Sequence, residues 1–177
     1  RPMRFIDGYG LNGKKAPVEK EPTQSYDYLV RHEPEKADVI FFAGCMTHLT
    51  PSVIIAMKKI MDSAGVRYHF MDENGGVCCG RPLMLAGRDR EARELINYNS
   101  DIIWRSGAGI LVTSCPICYK IFNESYYLDT RVMHHSEFIN HLIEEGSLRL
   151  GYLRRKVVYH DPCELGRGSG IYDEPRE

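Results

Sequence analysis

Five of the six cysteines form one spaced pattern: Cys45, then the adjacent pair Cys78 and Cys79 followed by Gly80, then Cys115-Pro116-Ile117-Cys118. Gaps of 32 and 35 residues separate the three groups. A disulfide scaffold belongs in short secreted chains whose cores are too small to hold the fold. This chain has 177 residues, enough for a sizeable core, and its first residues contain no apolar run of the signal-peptide kind. The cysteines therefore read as a metal–thiolate site, and the fold must bring three distant segments to one place.

Composition narrows the class. With 43% hydrophobic and 27% charged residues and a formal net charge of -1, the chain reads as one ordinary soluble domain behind an irregular leader. Its 23 Lys+Arg and 24 Asp+Glu nearly cancel, and no single-sign block is long enough to make a strong field. No apolar stretch approaches a bilayer span. Nucleic-acid binding and a direct membrane span are both poor fits, and a cytoplasmic location, with membrane association only through partner subunits, is expected. The opening Arg1 and the Pro- and charge-rich end point to a piece of something longer.

Residues 1–36 mix Gly, Pro, Lys and Glu with scattered aromatics and no sustained period, so they read as a leader or linker. A regular alternation follows. Residues 37–43 are a continuous apolar run, the signature of a strand buried on both faces. Thr50 can cap the next helix, Pro51 suits its first position, Val53, Met57, Ile60, Met61 and Ala64 recur at helical spacing, and Gly65 can close it. Residues 66–71 form a second strand, and residues 83–105 one long helix buried through Ala92, Leu95, Ile96, Ile102 and Ile103. Strands at 109–113 and 131–133, helices opening at Pro116 and spanning 136–145 with Gly146 at the end, and a last strand at 156–159 complete the pattern. Strands separated by helices imply right-handed crossovers and a parallel sheet covered on both faces, an α/β fold of Rossmann-like or flavodoxin-like type.

That topology explains the cysteines. Cys45 follows the first strand, Cys78 and Cys79 the second, Cys115 ends the third and Cys163 follows the last. Parallel strands deliver their carboxyl ends to one edge, where open α/β sheets bind ligands. Pro116 at a helix start puts Cys115 and Cys118 beside a helix N-terminus, whose partial positive charge favours thiolates. Gly75, Gly76 and Gly80 let the backbone pass close to a group held between the sulfurs, with N–H groups available to cluster sulfide. Soft thiolates select an iron–sulfur cluster, zinc or Cu(I). Five sulfurs exceed what a tetrahedral zinc takes, which favours iron–sulfur over zinc, a redox dithiol or plain buried cysteines.

The pattern Cys45-x32-Cys78-Cys79-Gly80-x34-Cys115-x2-Cys118 resembles the cysteine-rich CCG domain. That domain occurs in the B- and D-type subunits of heterodisulfide reductase, in iron–sulfur subunits of glycolate oxidase and anaerobic glycerol-3-phosphate dehydrogenase, and in lactate-utilisation proteins. His160-Asp161-Pro162-Cys163-Glu164-Leu165-Gly166-Arg167 looks like the opening of a second copy. The resemblance implies three segments: a leader at 1–36, a complete CCG domain at 37–155, and the start of a truncated second motif at 156–177. It further implies a non-cubane [4Fe–4S] cluster on Cys45, Cys78, Cys79, Cys115 and Cys118, with Gly76 and Gly80 lining it. Cys163 is then either an extra ligand or, the preferred reading, the unpartnered first cysteine of the second motif. The implied function is electron transfer or disulfide reduction, in a fragment inactive alone, with a flavin- or ferredoxin-type redox partner and a quinone or disulfide as substrate. Oxygen exposure would strip such a cluster. The alternatives are a zinc-binding assembly domain and a metal-free thiol–disulfide oxidoreductase.

Other features have ordinary readings. His48 and His160 with Asp161 can move protons but more commonly cap loops, and His134-His135 falls away from the inferred rim. Gly166-x-Gly168-x-Gly170 departs from the dinucleotide fingerprint and reads as a flexible turn. The charged run 88–94 reads as a solvated helix face. Trp104, the methionines and the tyrosines read as core or packing residues.

Overall fold

The structure is a computed structural model that describes residues 34–74 and 77–177. The expected leader lies outside the described residues except for its last three positions, and so do Gly75 and Gly76. The ordered elements are β1 (Val39–Phe42), α1 (Cys45–His48), α2 (Pro51–Ser63), β2 (Tyr68–Phe70), α3 (Arg81–Leu85), α4 (Asp89–Ser106), β3 (Ile110–Thr113), α5 (Pro116–Ser125), β4 (Arg131–His134), α6 (His135–Glu144) and α7 (Gly166–Ser169).

The four strands lie in the order β2-β1-β3-β4, all parallel, which is the α/β architecture expected. Period-two alternation splits the central strands between two layers. Ile40, Phe42 and Leu111 face α4 and α5 and pack with Ile102, Ile103, Ile121 and Phe122. Val39, Phe41 and Val112 face α2 and α6 and meet Met57, Met61, Phe138 and Leu142. Phe41 and Phe42 are both fully buried, each side chain contributing about 2 kcal/mol of transfer free energy.

Gly65 ends α2 as the pattern predicts. Its N–H reaches Asp62 O at 3.1 Å, and the Val66 N–H reaches Met61 O at 2.9 Å. Those two bonds are the Schellman arrangement around a left-handed glycine, here at φ 67. The same device corrects the long helix expected at 83–105. Gly87 at φ 69 donates to Met84 O at 3.1 Å and Arg88 N–H to Leu83 O at 2.9 Å, so α3 closes and α4 starts afresh at Asp89. On α4, Ala92, Leu95, Ile102 and Ile103 are buried as expected, joined by Asn99 and Ser106, while Ile96 is only partly buried. Trp104 is 76% exposed, so of the core and packing roles expected for it the core one fails. Met46, Tyr127 and Tyr152 are exposed as well.

The last expected strand, residues 156–159, is not one: these residues are exposed and carry no ladder bonds. Handedness supplies the reason. From β1 to β2 the chain steps one way across the sheet with α2 on one face; from β2 to β3 and β3 to β4 it steps the other way with α4 and α5 on the opposite face. All three crossovers thus share one hand, as parallel connections do. α6 lies on the α2 face, so a parallel strand placed outside β4 by α6 would need the disfavoured hand. No helix among the described residues is long and apolar enough to cross a membrane.

Candidate metal centre

The strand order reverses between β1 and β3, and ligands of open α/β sheets sit outside the carboxyl ends of strands at such a point. Cys45 begins α1, two residues after buried Ala43 at the end of β1; Cys115 is the N-cap of α5, two residues after the end of β3. Cys78 and Cys79 follow β2 and precede α3. Three segments separated by more than thirty residues each thus reach one rim, as the alternation predicts.

All six cysteines are free thiols. Four lie as a run of neighbouring thiols that shift one another's protonation: Cys78 beside Cys79, Cys79 beside Cys118, and Cys118 beside Cys115. Cys118 lies between Cys115 and Cys79, which push its thiol up while it lowers theirs. Cys115 falls to about 6, first through Cys118 and then through the backbone N–H groups of Cys118 and Ile117 at the start of α5. Cys79 is lowered by Cys118 and then Cys78; Cys78 is raised by its neighbour Cys79 and by burial. Cys45 is exposed and close enough to Cys78 for like charges on the two sulfurs to oppose each other. Cys163 is exposed outside this series, its sulfur accepting from Arg167 Nη2 at 3.1 Å.

Glycine is required where the segments approach. Gly44 sits at φ 86, and a Cβ there would lie 3.0 Å from Cys118 Sγ and 3.1 Å from Cys115 Cβ. Gly80, at φ 94, donates its N–H to Cys78 Sγ at 3.5 Å. Gly76 lies outside the described residues.

Sequence reasoning missed three side chains that hold these loops. Asp72, 1% exposed, accepts the N–H groups of Ala43 and Gly44 at 2.8 Å each and meets His48 Nε2 at 3.2 Å. Burial raises its carboxyl, while the Gly44 and Ala43 amides and His48 pull the other way. Asn99 donates to Cys78 O at 2.9 Å and to Tyr126 Oη at 2.8 Å, and the Tyr126 hydroxyl donates to Cys79 O at 3.1 Å. Asn99 had a legible signal: a lone amide at the centre of the apolar stripe of α4.

His134 is also placed differently from expectation. It pairs with Thr113 in the β3–β4 register, so it stands at the same carboxyl edge as Cys115 rather than away from the rim. His160 is exposed and Asp161 pairs with Arg176. The glycines 166–170 make one helical turn, α7, closed by Gly170 at φ 76.

Among the described residues no three His, Cys, Asp or Glu side chains close around a single ion. A tetrahedral zinc needs four donors about one point, whereas these sulfurs run in series past a glycine cradle. That layout fits a multi-metal cluster held by soft thiolates better than one ion.

The family profile described as a cysteine-rich domain, CCG, matches residues 39–123. Among curated proteins, the D-type subunit of the dihydromethanophenazine:CoB–CoM heterodisulfide reductase of Methanosarcina mazei is 29% identical over 153 residues, 80% of this chain and 37% of that protein. An uncharacterised iron–sulfur protein of Methanocaldococcus jannaschii is 32% identical over 146 residues, 82% of this chain and 29% of its own length. The EtfAB:quinone oxidoreductase of Syntrophomonas wolfei is 25% identical over 176 residues, 96% of this chain and 24% of that protein. The chain thus spans about a quarter to just over a third of the length of these relatives. No solved structure matches it. With its cysteines at the carboxyl edge of a parallel sheet and its profile match over residues 39–123, the chain carries a cysteine-rich domain of the CCG family.

Proposed function

We propose that Cys45, Cys78, Cys79, Cys115 and Cys118 hold an iron–sulfur cluster, of the non-cubane [4Fe–4S] type, and that the chain is the electron-transfer or disulfide-reducing module of a heterodisulfide-reductase-like oxidoreductase subunit. The observation that carries this reading is the run of neighbouring thiols Cys78, Cys79, Cys118 and Cys115 with Cys45 beside it at one sheet edge. When bound, such a cluster supplies one-electron transfer.

The chain's own residues supply position and electrostatics. The start of α5 stabilises negative charge on Cys115, Gly80 N–H does the same for Cys78, and Gly44 keeps the space beside Cys118 clear. Asn99, Tyr126 and Asp72 fix the two loops without touching the sulfurs' donor capacity. We infer from the relatives' names that the redox partner is a flavin- or ferredoxin-type protein and that the terminal partner is a disulfide or a quinone. On the same reading residues 37–155 are one complete CCG domain and 156–177 open a second copy. The inability of 156–159 to join this sheet supports that division.

The test is iron and acid-labile sulfide per chain, with an EPR spectrum, on protein purified without oxygen. About four irons with a cluster signal are expected, lost in Cys78→Ser and Cys115→Ser and little changed in Cys163→Ser. Equal iron loss in all three variants contradicts the assignment of Cys163. Stoichiometric zinc without sulfide, or no metal after anaerobic reconstitution, overturns the cluster.

A further inference from the structure

The amino-terminal edge of the sheet, opposite the cysteines, holds a cavity of about 560 Å³ between the end of α4 and the residues leading into β3 and β4. Small-molecule sites have volumes of roughly 300–1,000 Å³. Two elements each bring an aromatic ring and a carboxylate to its lining: Trp104 and Asp101 from α4, Tyr127 and Asp129 from the α5–β4 connection.

Both rings are accessible, and the chain places them so. The solvent-facing stripe of α4 runs through Arg90, Glu94, Asn97 and Asp101, and its next position, one turn beyond Asp101, is Trp104. A large aromatic thus closes an otherwise polar stripe and stands mostly exposed. Tyr126 has extended backbone and is held inward by the Asn99 amide on its hydroxyl. Successive side chains of extended backbone point opposite ways, so Tyr127 is turned out and is fully exposed. Single exposed aromatics are ordinary, but apolar groups gathered at one cavity mark a binding surface.

The charge of the occupant follows from the rest of the lining, which contains no lysine or arginine. Asp101 pairs with Arg105 at 2.6 Å, and Lys36 Nζ, beside Gly107, donates to Arg105 O at 3.0 Å. Asp129 is exposed and makes no ion pair among the described residues. An anion would be desolvated beside that carboxylate with no lining cation to offset the cost. A metal ion finds no group of three carboxylate, imidazole or thiol side chains among the described residues. A primary ammonium is strongly hydrated, and one exposed ion pair contributes little. A quaternary ammonium has no N–H to give to water and spreads its charge over methyl groups, which the faces of Trp and Tyr attract.

We propose that this cavity binds the quaternary ammonium group of a small molecule against the Trp104 and Tyr127 rings, with Asp129 as its counter-charge. The site lies at the opposite edge of the sheet from the cysteines and does not depend on a cluster.

Trp104 is the only tryptophan in the chain, so its fluorescence reports on this site. The full chain is titrated with choline, with ethanolamine as the protonated primary amine, and with dimethylbutanol, the uncharged isostere carrying carbon in place of nitrogen. A saturable change with choline is expected, at least about fivefold tighter than with either of the others. Tyr127→Leu and Asp129→Asn change exposed side chains and leave the core intact. Each is expected to weaken choline about two- to fivefold. Phosphatidylcholine vesicles separate two sources of the group: the same fluorescence change on vesicles assigns a lipid headgroup, and its absence assigns a free solute. The proposal is overturned if dimethylbutanol binds as well as choline, which leaves only an apolar pocket, or if ethanolamine does, which leaves only charge pairing. It is equally overturned if neither variant weakens choline or if no saturable change appears.

Discussion

Asp72 Oδ2 accepts the backbone N–H of Gly44 at 2.8 Å, and through that bond the loop after β2 holds the turn that carries Cys45. Its other oxygen takes the Ala43 N–H at the same distance, so the carboxylate bridges two of the three cysteine segments without being a ligand. Both partners can only donate. Asp72→Asn would turn an amide NH₂ against one of them and leave a buried donor unpaired, at a cost of about 1–3 kcal/mol. A denaturant midpoint lowered by that amount is expected; an unchanged midpoint would mean that the turn keeps its shape without the bridge.

Gly44 itself is the tightest point of the site. At φ 86 and ψ 149 it occupies backbone space open only to glycine, and an added methyl would press on Cys118 Sγ and Cys115 Cβ. Gly87, at φ 69, has nothing within 4 Å of an added Cβ. Gly87→Ala should therefore cost only the left-handed strain, about 1–2 kcal/mol. Gly44→Ala should cost more and also move Cys118, seen as faster reaction of that buried thiol with a disulfide reagent. Equal losses in the two variants would show that the contact with the cysteines carries no energy.

The sheet and the placement of the cysteines were legible because a strand buried on both faces leaves an unbroken apolar run, and Val39–Phe42 is buried at every position. Helix ends were legible where glycine stood after an apolar stripe, at Gly65 and Gly146, but not at Gly87, where the charged residues after it continue good helix formers. Residues 156–159 have strand composition; whether they find a neighbour depends on which face α6 covers, which no local pattern encodes. Asn99 was passed over because a stripe search counts apolar residues and skips the polar one at its centre. His134 could not be placed at the rim until the β3–β4 register was known.

The amide of Asn99 and the hydroxyl of Tyr126 act as one unit on the Cys78–Cys79 backbone. Removing one leaves buried partners unsatisfied, while removing both removes a donor and an acceptor together. Asn99→Leu and Tyr126→Phe are each expected to destabilise the domain by about 1–3 kcal/mol. The double variant should lose less than the sum, with a coupling of about 0.5–3 kcal/mol. Strict additivity in denaturation measurements would separate the two residues into independent contacts.

His134 and His135 make the domain acid-sensitive. Their folded values, about 3 and about 4, lie below the ordinary 6.5, and the cause in both is burial. Between those values and 6.5 the unfolded chain binds protons that the folded chain refuses. The stability they contribute is thus full above pH 6.5 and is lost as the pH falls, at up to about 1.4 kcal/mol per unit for each ring. Burial raises the carboxyls of Asp72 and Glu137, and these groups work in the opposite sense at pH values upward from their ordinary 3.8 and 4.5. The pair should account for on the order of 3 kcal/mol lost between pH 7 and 5. Denaturation at both pH values checks this against the His134→Asn/His135→Gln double variant, in which the difference should shrink to under about 1 kcal/mol. A variant that keeps the full pH slope would assign acid sensitivity to other groups and leave the two imidazoles open to protonation in the folded domain.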